Sequence, residues 1–274
     1  MPRKRLTQVF PFLLPFRKWQ RKKLFYLKMR WDGNSYAKKV SEKYLPYTVF
    51  EASSLMLNKN SGFDMKYQLN KVYNLKLAAK TVNKVVIEPN ETFSFWQLAR
   101  QADQDEPYRD GLNLVDGKIT ASYGGGLCQL SNMLFWLFLH TPMTVTERHG
   151  HVVEAFPSTT EDLPCGTDAT ISEGWLDLKV RNETDNTFQI KISFDNDFMY
   201  SCILSRSPVN KEYSVYNATI TYIQRDKRLY QSASVWRSER DKRTGSKTEK
   251  ELYVNECEIT YKLPDGIKIE ERGA

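Results

Sequence analysis

Tyr123-Gly124-Gly125-Gly126-Leu127-Cys128-Gln129-Leu130-Ser131 runs straight into Asn132-Met133-Leu134-Phe135-Trp136-Leu137-Phe138-Leu139-His140. Three glycines allow a tight turn and let another molecule approach the backbone closely. The apolar run after them predicts a helix, with His140 capping its C-terminal end. Cys128 then sits in the first turn, beside N–H groups that lack intrahelical partners and at the positive end of the helix dipole. That position suits a nucleophilic sulfur. Cysteine is equally among the most buried residue types, and a glycine run can serve chain reversal alone. Both readings of Cys128 stand at this level.

Downstream come Glu147-Arg148-His149-Gly150-His151 and Gly166-Thr167-Asp168-Ala169-Thr170. Cysteine, histidine and aspartate in that order suggest Cys128 as nucleophile, His151 as base and Asp168 as the carboxylate that orients the base. His149 is a rival base, because residues two apart on a strand point the same way. Backbone N–H groups of 126–129, or the Gln129 amide, are candidates to hold an oxyanion. Arg148 offers a bidentate clamp for a substrate carboxylate, or a bridge to a neighbouring strand. Gly124, Gly125, Gly126, Gln129, Ser131 and Arg148 thus make up the candidate substrate-binding set. Asp168 has its own plain alternative as a turn cap.

The chain has 274 residues, 41% hydrophobic and 27% charged, which describes a folded protein able to build a sizeable core. Its four cysteines, Cys128, Cys165, Cys202 and Cys257, show no C-x-x-C spacing, and there are only three histidines. A structural zinc site and a disulfide framework are therefore not expected, and no metal or cofactor is called for. Cys165, Cys202 and Cys257 read as packing residues.

The net charge of +7 is uneven: the first forty residues carry twelve basic side chains and one acid, Asp32. Among them lie Phe10, Phe12, Leu13, Leu14, Phe16, Trp19, Leu24 and Phe25. This apolar stretch is broken by Pro11 and Pro15 and falls short of the roughly 20 residues needed to span a bilayer. No small-residue cleavage site follows it, so neither a transmembrane helix nor a cleavable signal peptide is expected. The expected location is cytoplasmic or peripheral at a membrane. Basic and aromatic residues interleaved this way suit an anionic membrane surface, or an amphipathic arm packed on the body. Nucleic acid is the least favoured partner.

Three regions follow: a basic arm over 1–45 with one or two short helices, a central domain over 46–205, and a β-rich extension over 206–274. The spacing predicts a helix over 70–85, a turn and short strand over 86–96, and an exposed loop over 100–111. Strands are expected at 152–156, 168–171, 176–182, 188–194 and 200–204. Further strands are expected at 218–223, 232–237 and 258–263, with an exposed hairpin loop over 238–250. The fold class is α+β, with the cysteine helix packed on an antiparallel sheet built from the strands after His151.

Several of these residues form one pattern. Gly124, Gly125, Gly126, Cys128, Gln129 and Ser131, then Glu147, Arg148 and His151, then Gly166, Asp168, Ala169 and Thr170, together with Phe93-Ser94-Phe95, resemble the signature of the VanW-domain family. The resemblance covers about 86–205. It implies a link to the cell wall and to glycopeptide (vancomycin) resistance, with peptidoglycan or its precursors as partner. It implies no particular reaction. The residues themselves suggest acyl transfer through Cys128, by a transpeptidase-like or peptidase route, against a non-catalytic module that binds wall precursors or a partner at the inner membrane face.

Overall fold

A helix that is apolar on every side must be buried on every side. The helix Cys128–Leu139 (α4) meets that demand, with Leu130, Leu134, Phe135, Leu137 and Phe138 wholly inaccessible. The computed structural model describes residues 10–57, 63–115, 118–154 and 163–271 and places this helix in the core of an α+β fold. It packs on an antiparallel sheet made of Tyr47–Leu55 (β2), Val86–Ile87 (β3), Phe188–Phe194 (β10) and Phe198–Ser205 (β11). The strand order is β2-β11-β10-β3, with Ile203 opposite Phe50 and Phe188 opposite Ile87.

This sheet differs from expectation in its membership. Two of its strands precede Cys128. The sequence of β2, Tyr47-Thr48-Val49-Phe50-Glu51-Ala52-Ser53-Ser54-Leu55, is polar enough to pass for a loop, because one side of it stays largely exposed.

A second sheet joins Ser35–Tyr36 (β1), Glu91–Ser94 (β4), Lys179–Arg181 (β9) and Thr144–Glu147 (β7) in the order β1-β4-β9-β7. Asp110–Val115 (β5) and Lys118–Tyr123 (β6) form a hairpin that delivers the chain to the glycine turn. The C-terminal region is a long ribbon of Lys211–Arg225 (β12), Arg228–Asp241 (β13) and Lys247–Ile259 (β14), edged by Ile269–Glu271 (β15) and by Val153–Glu154 (β8). The parallel pairing of β8 with β14 ties this ribbon to the segment just after His151.

The remaining helices are Leu14–Trp31 (α1), Met65–Val82 (α2) and Phe95–Ala99 (α3). The arm therefore holds one helix of 18 residues after a short 3₁₀ turn, rather than one or two short ones. Among the described residues, no helix is long and apolar enough to cross a membrane. Helix α2 begins at Met65, ahead of the expected position, because the Asp64 side chain caps it by accepting from the Lys66 N–H at 2.9 Å. It ends at Val82, where Asn83 turns extended and Lys84 takes a φ of +66°.

Other boundaries move for similar reasons. Phe95 and Trp96 start α3, since Ser94 caps it. Of the expected 176–182 strand, only 179–181 forms a continuous strand, and Asp177 is drawn into side-chain bonds to Ser94 and the Trp96 N–H. Segment 168–171 is not a strand. The loop expected over 238–250 shrinks to a turn after Asp241, whose carboxylate accepts from the Arg243 and Thr244 N–H groups. The last ribbon strand stops at Ile259. The strand expected at 152–156 is β8 at 153–154, and its further residues lie outside the described ones.

Phe138 packs ring to ring with Phe93 at 4.9 Å between α4 and β4. Truncating Phe138 to alanine leaves a void at the contact of helix and sheet. Denaturant unfolding should report a loss of about 3–5 kcal/mol.

Candidate active site

Cys128 reaches the first position of α4 through a turn that requires glycine. Gly124 and Gly126 have φ values of +70° and +93°, where side chains are strained. Gly125 is needed for space: a Cβ there would lie 2.1 Å from the Gly111 carbonyl oxygen. Asn74 locks this crossing, donating to the carbonyls of Arg109 at 2.8 Å and Gly125 at 3.0 Å. The glycines therefore work by fixing where α4 starts. Gly124 also lines a cavity of about 230 Å³ that opens beside Cys128.

Residues 148–150 are not in a strand, so the two histidines diverge instead of pointing the same way. His149 Nε2 lies 3.1 Å from Glu147 Oε1, and Glu147 is paired with Lys179 at 3.0 Å. His151 turns the other way. Its Nδ1 lies 2.5 Å from Asp168 Oδ2, and the Cys128 sulfur is near enough to help raise the pKa of its ring. With Nδ1 on the carboxylate, Nε2 is the nitrogen left for the sulfur. The structure thus pairs His151 with Asp168, near Cys128, and leaves His149 with Glu147.

Asp168 is positioned from three sides. Its Oδ2 also accepts from the His151 backbone N–H at 2.6 Å, and its Oδ1 accepts from Arg148 Nη2 at 2.8 Å. The main chain beside it is gripped by α4. Ser131 Oγ donates to the Ala169 carbonyl at 2.6 Å, and Asn132 Oδ1 accepts from the Ala169 N–H at 2.7 Å. Ser131 is buried and therefore serves position, not contact with a ligand. The same helix that presents Cys128 sets the place of Asp168.

Arg148 is spent inside the protein. Its Nε donates to the Asp168 carbonyl at 2.6 Å, Nη2 to the Gly166 carbonyl at 2.7 Å, and Nη1 to Asn255 Oδ1 at 3.0 Å. Its guanidinium lies 4.6 Å from the Tyr253 ring centroid and 5.5 Å from that of Phe135. A side chain only 11% exposed and donating at every nitrogen has no fork to offer a substrate carboxylate. Gln129 is likewise committed: its amide nitrogen donates to Ser54 Oγ and to the Leu55 carbonyl, both at 2.7 Å. Of the candidate N–H groups at 126–129, Gly126 donates to Asn113 Oδ1 at 3.4 Å and Gln129 to the Gly126 carbonyl at 3.1 Å, so Leu127 and Cys128 are the candidates that remain.

Burial works against a charged His151 ring, but the Asp168 carboxylate and the Cys128 sulfur outweigh it and push its pKa up to about 10. Burial likewise favours a neutral Asp168, and the hydrogen bond and charge of His151, joined by Arg148, overcome it and hold the carboxyl below its ordinary value. The third histidine behaves oppositely. Burial lowers His140, which caps α4 and stacks on Phe50 at 3.7 Å.

Sequence reasoning missed the residues that line the cavity with Cys128, chiefly Trp96, Arg100, Tyr108, Tyr123 and Glu173. Trp96 comes from α3, Tyr123 from the end of β6, and Arg100, Tyr108 and Glu173 from turns and loops. Asn132 directly follows the signature serine and was within reach of the reading. Asn255 and Tyr253, far along the chain, carried no signal. Among the described residues, no group of three or more His, Cys, Asp or Glu side chains gathers to hold a metal ion.

A group whose pKa is raised on folding stabilises the fold fully below its unfolded value and loses that contribution as pH rises through its folded value. For His151 that window runs from about 6.5 to about 10. Asp168→Asn should bring the His151 ring titration, followed by NMR, down toward 6.5. It should also remove the corresponding part of the fall in unfolding free energy over the same window. A ring that titrates alike in both proteins would contradict the assigned pairing.

Residues 70–204 match the family described as VanW like protein. Over 272 residues, and 99% of both chains, the sequence is 51% identical to the vancomycin B-type resistance protein VanW of Enterococcus faecalis. It is 29% identical over 138 residues to the uncharacterized protein YoaR of Bacillus subtilis, covering 50% of this chain and 44% of that one. No solved structure matches it significantly. The glycine turn, the cysteine and the histidine–aspartate pair thus sit within the residues that match the family, and the chain belongs to the VanW family.

Proposed function

We propose that the protein serves glycopeptide resistance as a cysteine-dependent acyl transferase acting on the peptide stems of peptidoglycan. The observation that carries this reading is the hydrogen-bonded His151–Asp168 pair acting on Cys128, which sits at a helix start and lines a cavity. The substrate class draws on the relative named for B-type vancomycin resistance.

In this mechanism Cys128 Sγ attacks a stem carbonyl carbon, and a sulfur–carbon bond forms. The oxyanion faces backbone N–H groups at the start of α4. His151 Nε2 gives its proton to the departing amine as the carbon–nitrogen bond breaks. An acceptor amine then attacks the thioester, returns a proton to His151, and releases Cys128. Asp168 holds the ring tautomer through Nδ1, and Arg148 holds Asp168. Water in place of the amine would make the same steps a peptidase.

Arg100 takes over the substrate-binding part that the sequence suggested for Arg148. It lines the cavity and is exposed, and its guanidinium lies 5.2 Å from the Tyr26 ring centroid. The neighbouring Tyr108 hydroxyl is buried, without a hydrogen-bond partner among the described residues. Both offer donors to a peptide carboxylate or carbonyl.

Chromatography and mass analysis of peptide stems incubated with the protein and an amine acceptor test this directly. New cross-linked or trimmed stems are expected with wild type and none with Cys128→Ser. Asp168→Asn should lower turnover by about 10²–10⁴-fold. Arg100→Gln should raise KM and leave kcat nearly unchanged. Turnover that survives in Cys128→Ser would remove Cys128 from the role of nucleophile, and its absence from folded wild type would favour a non-catalytic binding module instead.

A further inference from the structure

Helix α1 carries seven basic residues and no acidic one. Its residues 14–19 are exposed on every side. Counting by helical turns from the preceding 3₁₀ segment, Phe12, Phe16, Trp19, Lys23, Leu27 and Trp31 fall along one stripe. Every side chain in this stripe is exposed: Phe12 and Trp31 at 76%, Phe16 at 62% and Trp19 at 56% decide the point. Water-facing aromatic residues in a regular helical row are not what a packed arm shows. A packed arm turns its apolar stripe inward.

The inward side of α1 is different in kind. Met29 is buried, and Phe25 and Tyr26 pack on the core. The Tyr26 hydroxyl donates to Glu173 at 2.7 Å, Lys22 pairs with Glu173 at 2.8 Å, and Arg21 lies over the Trp175 ring at 4.2 Å. The helix is thus anchored by one face and leaves a second apolar face without a partner among the described residues. Arg30 falls within the stripe beside Lys23, and Arg17 and Lys28 lie along one edge of it; these four pair with no carboxylate among the described residues.

We propose that this outer face of α1 docks on an anionic lipid surface. The aromatic rings and leucines enter the boundary between headgroups and acyl chains, and the unpaired cations meet lipid phosphates. Charge complementarity selects this occupant. A second copy of the same face would bring two strongly basic helices together, whereas an anionic leaflet offers both an apolar interior and opposite charge. Binding by α1 is peripheral, since the helix is too polar to cross the bilayer.

The docked helix also adjoins the cavity. Glu173, bonded by Tyr26 and Lys22, lines the cavity with Cys128, and so do Arg100, whose guanidinium lies over the Tyr26 ring, and Trp96. A lipid-bound α1 therefore places the mouth of the candidate active site close to the membrane face. The docking itself holds whether or not Cys128 is catalytic.

Co-sedimentation of the full chain with vesicles tests the proposal. The vesicles would be phosphatidylcholine alone, or an equal mixture with phosphatidylglycerol. Wild type should bind the mixed vesicles at least tenfold more strongly than the neutral ones, with a blue shift of tryptophan emission. Phe16→Ser with Trp19→Ser should weaken binding at least tenfold, and each of Lys23→Gln and Arg30→Gln by about fivefold. All four positions are exposed, and an unchanged circular dichroism spectrum would verify folding. Equal binding to both vesicle types, or none, would overturn the proposal. So would a solution dimer, seen by light scattering, that Trp31→Ser returns to monomer, because that would assign the stripe to a second copy.

Discussion

The carboxylate of Asp168 is the interaction on which the site depends. One oxygen accepts from Arg148, and the other accepts from both the ring and the backbone of His151. A carboxylate only 18% exposed is costly unless its oxygens are paired, and here they are. Removing either partner would leave a largely buried charge uncompensated. The site is therefore one electrostatic unit, in which Arg148 acts on Cys128 only through Asp168 and His151.

That unit explains why distant parts of the chain meet where they do. Helix α4 delivers Cys128 at its first position and, one turn on, grips Ala169 with Ser131 and Asn132. The separation of Cys128 and Asp168 is thus set by a single rigid element, as the proposed chemistry requires. The C-terminal ribbon completes the support. Asn255 takes the last Arg148 nitrogen, and the Tyr253 hydroxyl donates to the Gly166 carbonyl at 3.0 Å. A region that reads as a mere extension is built into the wall of the site.

The sequence made some of this legible and hid the rest, for physical reasons. The cysteine helix was readable because a short run of apolar residues after glycines has few other solutions. Strand β10 matched its expected bounds, since Phe188-Gln189-Ile190-Lys191-Ile192-Ser193-Phe194 alternates as a strand with one more exposed side does. Strand β2 was hidden by the serines and the glutamate it shows to solvent. The pairing of His151 with Asp168 followed from residue types in order, and the family pattern favoured His151 over His149; the backbone path that separates the two histidines was not legible. The strand geometry assumed for 149–151 fails because Gly150 packs against Asn255 and Arg148, with no room for a Cβ. The fate of Arg148 was equally invisible, because its partners at 166, 168 and 255 are joined only by folding.

The account's central claim is that Cys128, activated by His151 and Asp168, becomes acylated. Intact-protein mass spectrometry after brief incubation with peptidoglycan tetrapeptide stems, quenched in acid, reads this step without requiring any acceptor to be known. A mass increase equal to an acyl stem on wild type, absent from Cys128→Ser and reversed by hydroxylamine, is the predicted result. Wild type that stays unmodified while its His151–Asp168 pair is intact by NMR would contradict the claim.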